Sequence, residues 1–173
     1  MLSEGRTLEV LDPKAFTAYM KNVRKRTLAV AREVPKDKEH WRLEANSMSP
    51  VGILLHIGSV EAALWGGGIA AGKTQSLQEP SEEQTSLDDA VQFLASIRAE
   101  SDRFWRGLSD VDLYREITTP TGDTMRLSRW LMLAPEHEIH HRSFIHAYRK
   151  IWGLPPHALY GLGRDQLDDL LKR

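Results

Sequence analysis

Cysteine is absent from the 173 residues. Disulfides, thiolate metal sites and cysteine nucleophiles are therefore excluded, and any metal must be held by His, Asp or Glu. An excess of either charge is missing too: 23 Lys and Arg stand against 24 Asp and Glu, a net charge of -1. So balanced a chain has no global pull toward nucleic acid or an anionic membrane, and neither is expected as a partner. No apolar run approaches the ~18 residues of a membrane span. The opening MLSEGRTLEV lacks the basic start and apolar run of a signal peptide. A cytoplasmic protein is the expectation. Internal repeats and low-complexity tracts are also missing, and the length fits a single domain over 1–173.

The residues that are present read as helices. Asp12-Pro13 is a cap and first helical position. Phe16, Met20, Val23, Thr27, Val30 and Val34 then recur at helical spacing, and Pro35 stops them. Lys14, Lys21, Lys25 and Arg32 fall on the other face, as a solvated stripe does. Ser49-Pro50 starts a second helix with Ile53, His56, Val60, Ala63 and Leu64 on one face, ended by Gly66 to Gly68. Residues 73–85 read as a polar loop. Ser86 caps a third helix with Leu87, Val91, Leu94, Ile97, Ser101, Phe104, Trp105 and Leu108 toward the core. Tyr114 and Ile117 to Thr119 favour extended chain, and Pro120-Thr121-Gly122-Asp123 is a turn signal, so a short hairpin or extended crossover is expected. Ser128 is read as the cap of a fourth long helix running to Trp152, and Leu167, Leu170 and Leu171 suggest a short tail helix. The pattern is all-α, a four-helix bundle.

At about 100° per residue, Trp130, Ala134, His137, His141, Phe144, Ile145, Tyr148 and Trp152 fall within about 60° of one line on the fourth helix. His137 and His141 lie one turn apart in the middle of that apolar stripe. Buried imidazoles need partners, and a metal ion satisfies both at once. His56 interrupts the stripe of the second helix in the same way. Three histidines from two helices would leave an open coordination position. Core histidines bonded to carboxylates or backbone would satisfy the same pattern. His140 lies off the stripe, and His146 points to the opposite face. Glu138 and Arg142 are spaced as an i,i+4 surface ion pair. Pro135 predicts a kink before His137, or a helix in two pieces. Trp65, Trp130 and Trp152 are candidates to line a cleft.

Gly67 to Thr74, GGIAAGKT, match G-x-x-x-x-G-K-[ST] letter for letter. A phosphate loop must leave a buried strand and open a helix. Here a capped helix comes before the motif and Pro80 interrupts the segment after it, so nucleotide binding is not expected.

At HEIHHR, residues 137 to 142, the chain resembles the DinB/YfiT-like family. The match is the H-x-x-x-H-R motif on His137, His141 and Arg142, and His56 in LLHIGSVEAALW corresponds to a ligand on the second helix. The chain departs at Ser143-Phe144, where members commonly have Gly-Gln. The resemblance implies a four-helix bundle with a three-histidine site, His56, His137 and His141, for one divalent metal. Zinc or nickel comes first, iron or manganese next. It also implies a homodimer, a small-molecule substrate, and similarity to transferases and isomerases that use a low-molecular-weight thiol such as bacillithiol, mycothiol or glutathione. With no cysteine of its own, the chain would take that thiol as a cosubstrate, with His140 or water accepting its proton. Metal-dependent hydrolysis and a non-enzymatic metal-binding bundle are the alternatives.

Overall fold

A computed structural model describes residues 8–73, 77–155, 157–158, 161 and 163–172. Thr74, the last letter of the phosphate-like motif, and Pro156 lie outside the described residues.

Three of the expected caps set the helices. The Asp12 carboxylate accepts from the amides of Lys14 and Ala15, and α1 spans Pro13–Ala31. The Ser49 hydroxyl accepts from the Gly52 amide at 3.1 Å, opening α2, Pro50–Val60. Ser86 does the same for the Asp89 amide at the head of α3, Leu87–Arg106. Each side chain satisfies an amide that the first helical turn leaves without a partner. A short α4, Asp110–Leu113, leads into β1, Glu116–Thr118. It pairs antiparallel with β2, Thr124–Arg126, with Ile117 opposite Met125. Then come α5, Leu127–Ile151, and α6, Arg164–Leu171.

The hairpin appears where the turn signal placed it. The start of α5 does not: Ser128 is its second residue, not its cap. Strand β2 passes directly into the helix, and the Leu127 amide is taken by the Arg115 carbonyl at 2.8 Å. Pro135 lies inside an unbroken α5, so the two-piece alternative is set aside.

Helix α1 packs on α3 and α5, and α2 packs on the same two. The result is an all-α four-helix bundle carrying one short hairpin. The stretch Pro50–Ala71 is long and apolar enough to cross a membrane, yet 72% of its most apolar window is buried in the protein. It is the core helix of the bundle.

Helix α2 does not stop at Val60 but widens into a π-helical turn, Glu61–Trp65, closed by the Gly66 amide on the Glu61 carbonyl at 2.8 Å. The carbonyls this turn frees are used by neighbours. Leu64 accepts from the Trp130 indole at 2.9 Å and Trp65 from the Trp105 indole at 2.7 Å. The chain then folds back so tightly at Gly68 that a Cβ there would stand 1.9 Å from the Ala63 carbonyl oxygen. Only glycine fits. This is the structural role of the GGIAAGK letters: they come after a helix, not a strand.

The core is split in two. One apolar cluster gathers Phe16, Met20, Trp65, Trp105 and Trp130, and the other Val30, Ile53, Leu54, Leu94 and Ile145. Four charged residues, one from each long helix or its extension, are buried together: Arg24 on α1, Glu61 just after α2, Arg98 on α3 and Glu138 on α5. All four are at most 5% exposed. Arg24 meets Glu138 at 2.9 Å and Glu61 at 2.8 Å, while Arg98 reaches Glu138 at 2.8 Å and holds Glu61 through two nitrogens. Two cations and two anions neutralise one another, which makes their burial tolerable. Burial pushes the Glu138 carboxyl up, but Arg24 and Arg98 outweigh it and hold it below the usual carboxylate range. The expected surface pair of Glu138 with Arg142 is therefore corrected. Both are buried, the Glu138 carboxylate is taken by Arg24 and Arg98, and Arg142 donates to the Val23 carbonyl at 3.3 Å. By contrast Lys14, Lys21, Lys25 and Arg32 are exposed, as expected of a solvated stripe.

Candidate metal centre

His56 projects from α2 toward α5, where His137 and His141 stand one turn apart. The three rings converge: centroids lie 4.4 Å apart for His137 and His141, 4.6 Å for His56 and His141, and 5.3 Å for His56 and His137. One nitrogen from each ring falls within 4.8 Å of the others, and all three residues are half-buried. The group is able to hold a metal ion.

Three further observations fit a divalent ion. The Nε2 atoms of His56 and His137 are 3.4 Å apart. Two nitrogens each about 2.05 Å from a tetrahedral ion stand about 3.3 Å apart. Next, Nδ1 of His141 is buried with no hydrogen-bond partner among the described residues. Finally, burial and then the neighbouring histidines push His137 down to about 3. Burial, followed by His56 and His140, pushes His141 down to about 4. Both rings are thus neutral at physiological pH, the form that ligates metal.

The second-helix histidine is oriented from outside the bundle. Its Nδ1 donates to Glu79 Oε1 at 2.9 Å, and its Nε2 faces the other two rings. Residues 77–84 lie along α2: the Gln78 carbonyl accepts from the Ser59 hydroxyl at 2.9 Å, and Glu82 pairs with Arg42 at 2.8 Å. On the opposite side, the Trp65 ring lies 5.2 Å from His137. Trp65 and Trp130 are buried there, whereas Trp152 packs on Trp41 at 5.5 Å.

The sequence profile of the DinB superfamily matches residues 19–145. The chain belongs to the DinB superfamily. That span includes all three histidines, the four mutually paired charges and the hairpin. Two DinB-like proteins of known structure share the fold. One from Bacillus subtilis is similar over 82% of this chain and 95% of its own, at 24% identity and a TM-score of 0.63. One from Bacillus cereus is similar over 85% and 97%, at 16% identity and 0.66. No curated protein matches the chain.

The remaining histidines of this DinB-superfamily chain stay outside the cluster. His140 is exposed, with its ring 5.0 Å from that of His141. His146 is half-buried on another face of α5, His157 pairs with Glu33 at 2.8 Å, and His40 is exposed. Sequence reasoning missed two things. The charges Arg24, Glu61 and Arg98 left a signal, since Arg98 lies four residues after Leu94 on a buried face. Glu79 left none, being one acid in a polar loop.

Proposed function

We propose that this chain binds one divalent metal ion through His56, His137 and His141 and transfers an external thiol to a small electrophile. The carrying observation is the convergence of three imidazoles, with no carboxylate among them, in a chain that has no cysteine. An ion held by neutral ligands keeps its full charge and eases ionisation of a thiol beside it, which otherwise titrates near ~8.5. Zinc or nickel suits such a set first, and iron or manganese next. The chain supplies the geometry. Glu79 holds His56, the Trp65 ring shields His137, and the buried charges fix α2 against α5. In this proposal His140, exposed beside His141, or a solvent water takes the thiol proton. It does so as sulfur bonds to the electrophilic carbon and the leaving group departs with its electron pair. Low-molecular-weight thiols are kept reduced in the cytoplasm, where the protein is proposed to act.

The test is a steady-state assay with a chromogenic electrophile and each candidate thiol, with and without chelator. Turnover should require both metal and thiol and be lost in His56→Ala, His137→Ala and His141→Ala. Those variants should also lose bound metal, while His146→Ala keeps it. Turnover of an ester without thiol would point to hydrolysis instead. Full metal occupancy without any turnover would leave a non-enzymatic metal-binding bundle. The proposal includes a homodimer, read by sedimentation: a monomer mass at every concentration counts against it.

A further inference from the structure

Beside the three histidines lies a cavity of about 350 Å³ with a different character. One wall is α5, whose residues His141, Phe144 and Tyr148 succeed each other at three- and four-residue steps. The floor is Ile53, one turn before His56 on α2. The far wall is the loop carrying Leu43 and Met48. His141 therefore belongs both to the cluster and to the cavity wall, which places the cavity directly beside the cluster.

The cavity is apolar and fixed. Leu43, Met48 and Phe144 are 53%, 38% and 40% exposed, three large apolar side chains turned to water around one opening. Scattered apolar residues on a surface need no explanation, but a cluster rimming a concavity next to a polar centre does. No Lys, Arg, Asp or Glu lines it among the described residues. The loop is tied down by hydrogen bonds to its backbone. The Tyr148 hydroxyl donates to the Met48 carbonyl at 2.9 Å, and Arg42 donates to the Ser47 carbonyl at 2.6 Å. Phe144 is set edge-on against His140, with centroids 5.1 Å apart and planes at 87°. The larger cavity under the hairpin, about 680 Å³, has no histidine in its wall.

We infer that this cavity seats the uncharged, ring-sized apolar body of the ligand whose polar head binds at the histidine centre. The substrate class is thus a small aromatic or compact aliphatic molecule rather than a sugar, a phosphate ester or a multiply charged acid. Phe144 and Leu43 are the specificity-determining residues. The inference rests on the metal reading above, and the experiment separates the two.

Protein loaded with Zn²⁺ is titrated by calorimetry with acetohydroxamate, benzohydroxamate and 4-carboxybenzohydroxamate, which share one metal-binding head. Benzohydroxamate should bind at least tenfold tighter than acetohydroxamate, the effect of burying one ring, and the added carboxylate should remove the gain. In zinc-loaded Phe144→Ala, and independently in zinc-loaded Leu43→Ala, the ratio of benzohydroxamate to acetohydroxamate affinity should shrink below about threefold. Equal affinity for the two uncharged hydroxamates in zinc-loaded protein overturns the inference and leaves the metal reading intact. A ring preference that survives both variants places the ring elsewhere and overturns it too. A dimer that both variants dissociate, with no ring preference, assigns the patch to a second copy of the chain instead. Failure to take up zinc at all sinks the metal reading and this inference together.

Discussion

Nδ1 of His56 and Oε1 of Glu79 stand 2.9 Å apart, joining the histidine of α2 to an acid on the strap outside it. A carboxylate in that position fixes the ring's tautomer and strengthens its other nitrogen as a donor. Glu79→Ala should therefore weaken zinc affinity by about 10- to 100-fold while the three ligands stay in place. Glu79→Gln, which can still accept the hydrogen bond but lacks the charge, should lose less. Competition against a chromophoric chelator measures both. Unchanged affinity in the alanine variant would reduce Glu79 to a surface contact.

The buried charges make a second prediction. Glu138→Ala leaves two guanidinium groups sharing the Glu61 carboxylate, and breaking one partner from such a set costs about 3–5 kcal/mol. Urea unfolding should show this as a large fall in midpoint with little change in slope. Removing one charge of each sign, Arg24→Met with Glu138→Met, should recover part of the loss, because the remaining pair is again neutral. A double variant no better than the sum of its singles would contradict that view.

Protons should compete with the fold as well as with the metal. His137 and His141 are held down to about 3 and about 4, chiefly by burial. In the unfolded chain they titrate near ~6.5. Between those values the unfolded state binds more protons, so metal-free stability is full above pH ~6.5 and declines as pH falls toward 4. Urea midpoints at pH 7, 5.5 and 4.5 should fall more steeply for the native chain than for His137→Phe, which keeps the ring and loses the titration. Parallel curves would mean that carboxylates alone set the acid limb.

Lys73 belongs to a turn at the end of a helix, and it is exposed. Lys73→Ala should leave zinc binding unchanged, and neither ATP nor GTP with Mg²⁺ should give calorimetric heat with the native chain. Micromolar affinity that disappears with Lys73 would restore the phosphate-loop reading.

Much of the fold and the histidine site is legible in the residues alone. Asp12, Ser49 and Ser86 announce their helices because a cap works through atoms within three residues, and a short window sees them. His137 and His141 stand out because a polar ring on an apolar stripe breaks a regular period. Glu138 misleads because its partners Arg24 and Arg98 are 114 and 40 residues away. A charge read alone looks solvated, and its neighbour Arg142 at i+4 offers a ready but wrong explanation. Ser128 misleads because a strand that runs straight into a helix needs no side-chain cap. Glu79 carries no period at all, and its role depends on where the strap lies along α2.

The four buried charges have a consequence for how the three histidines meet. Glu61 lies five residues beyond His56, and Glu138 is the residue after His137, so the ties among Arg24, Glu61, Arg98 and Glu138 hold α2 and α5 in register close to the three histidines. A helix slid by one turn, about 5.4 Å, would strand a charge in the apolar interior. The chain thus brings its three imidazoles together through ties among its own side chains.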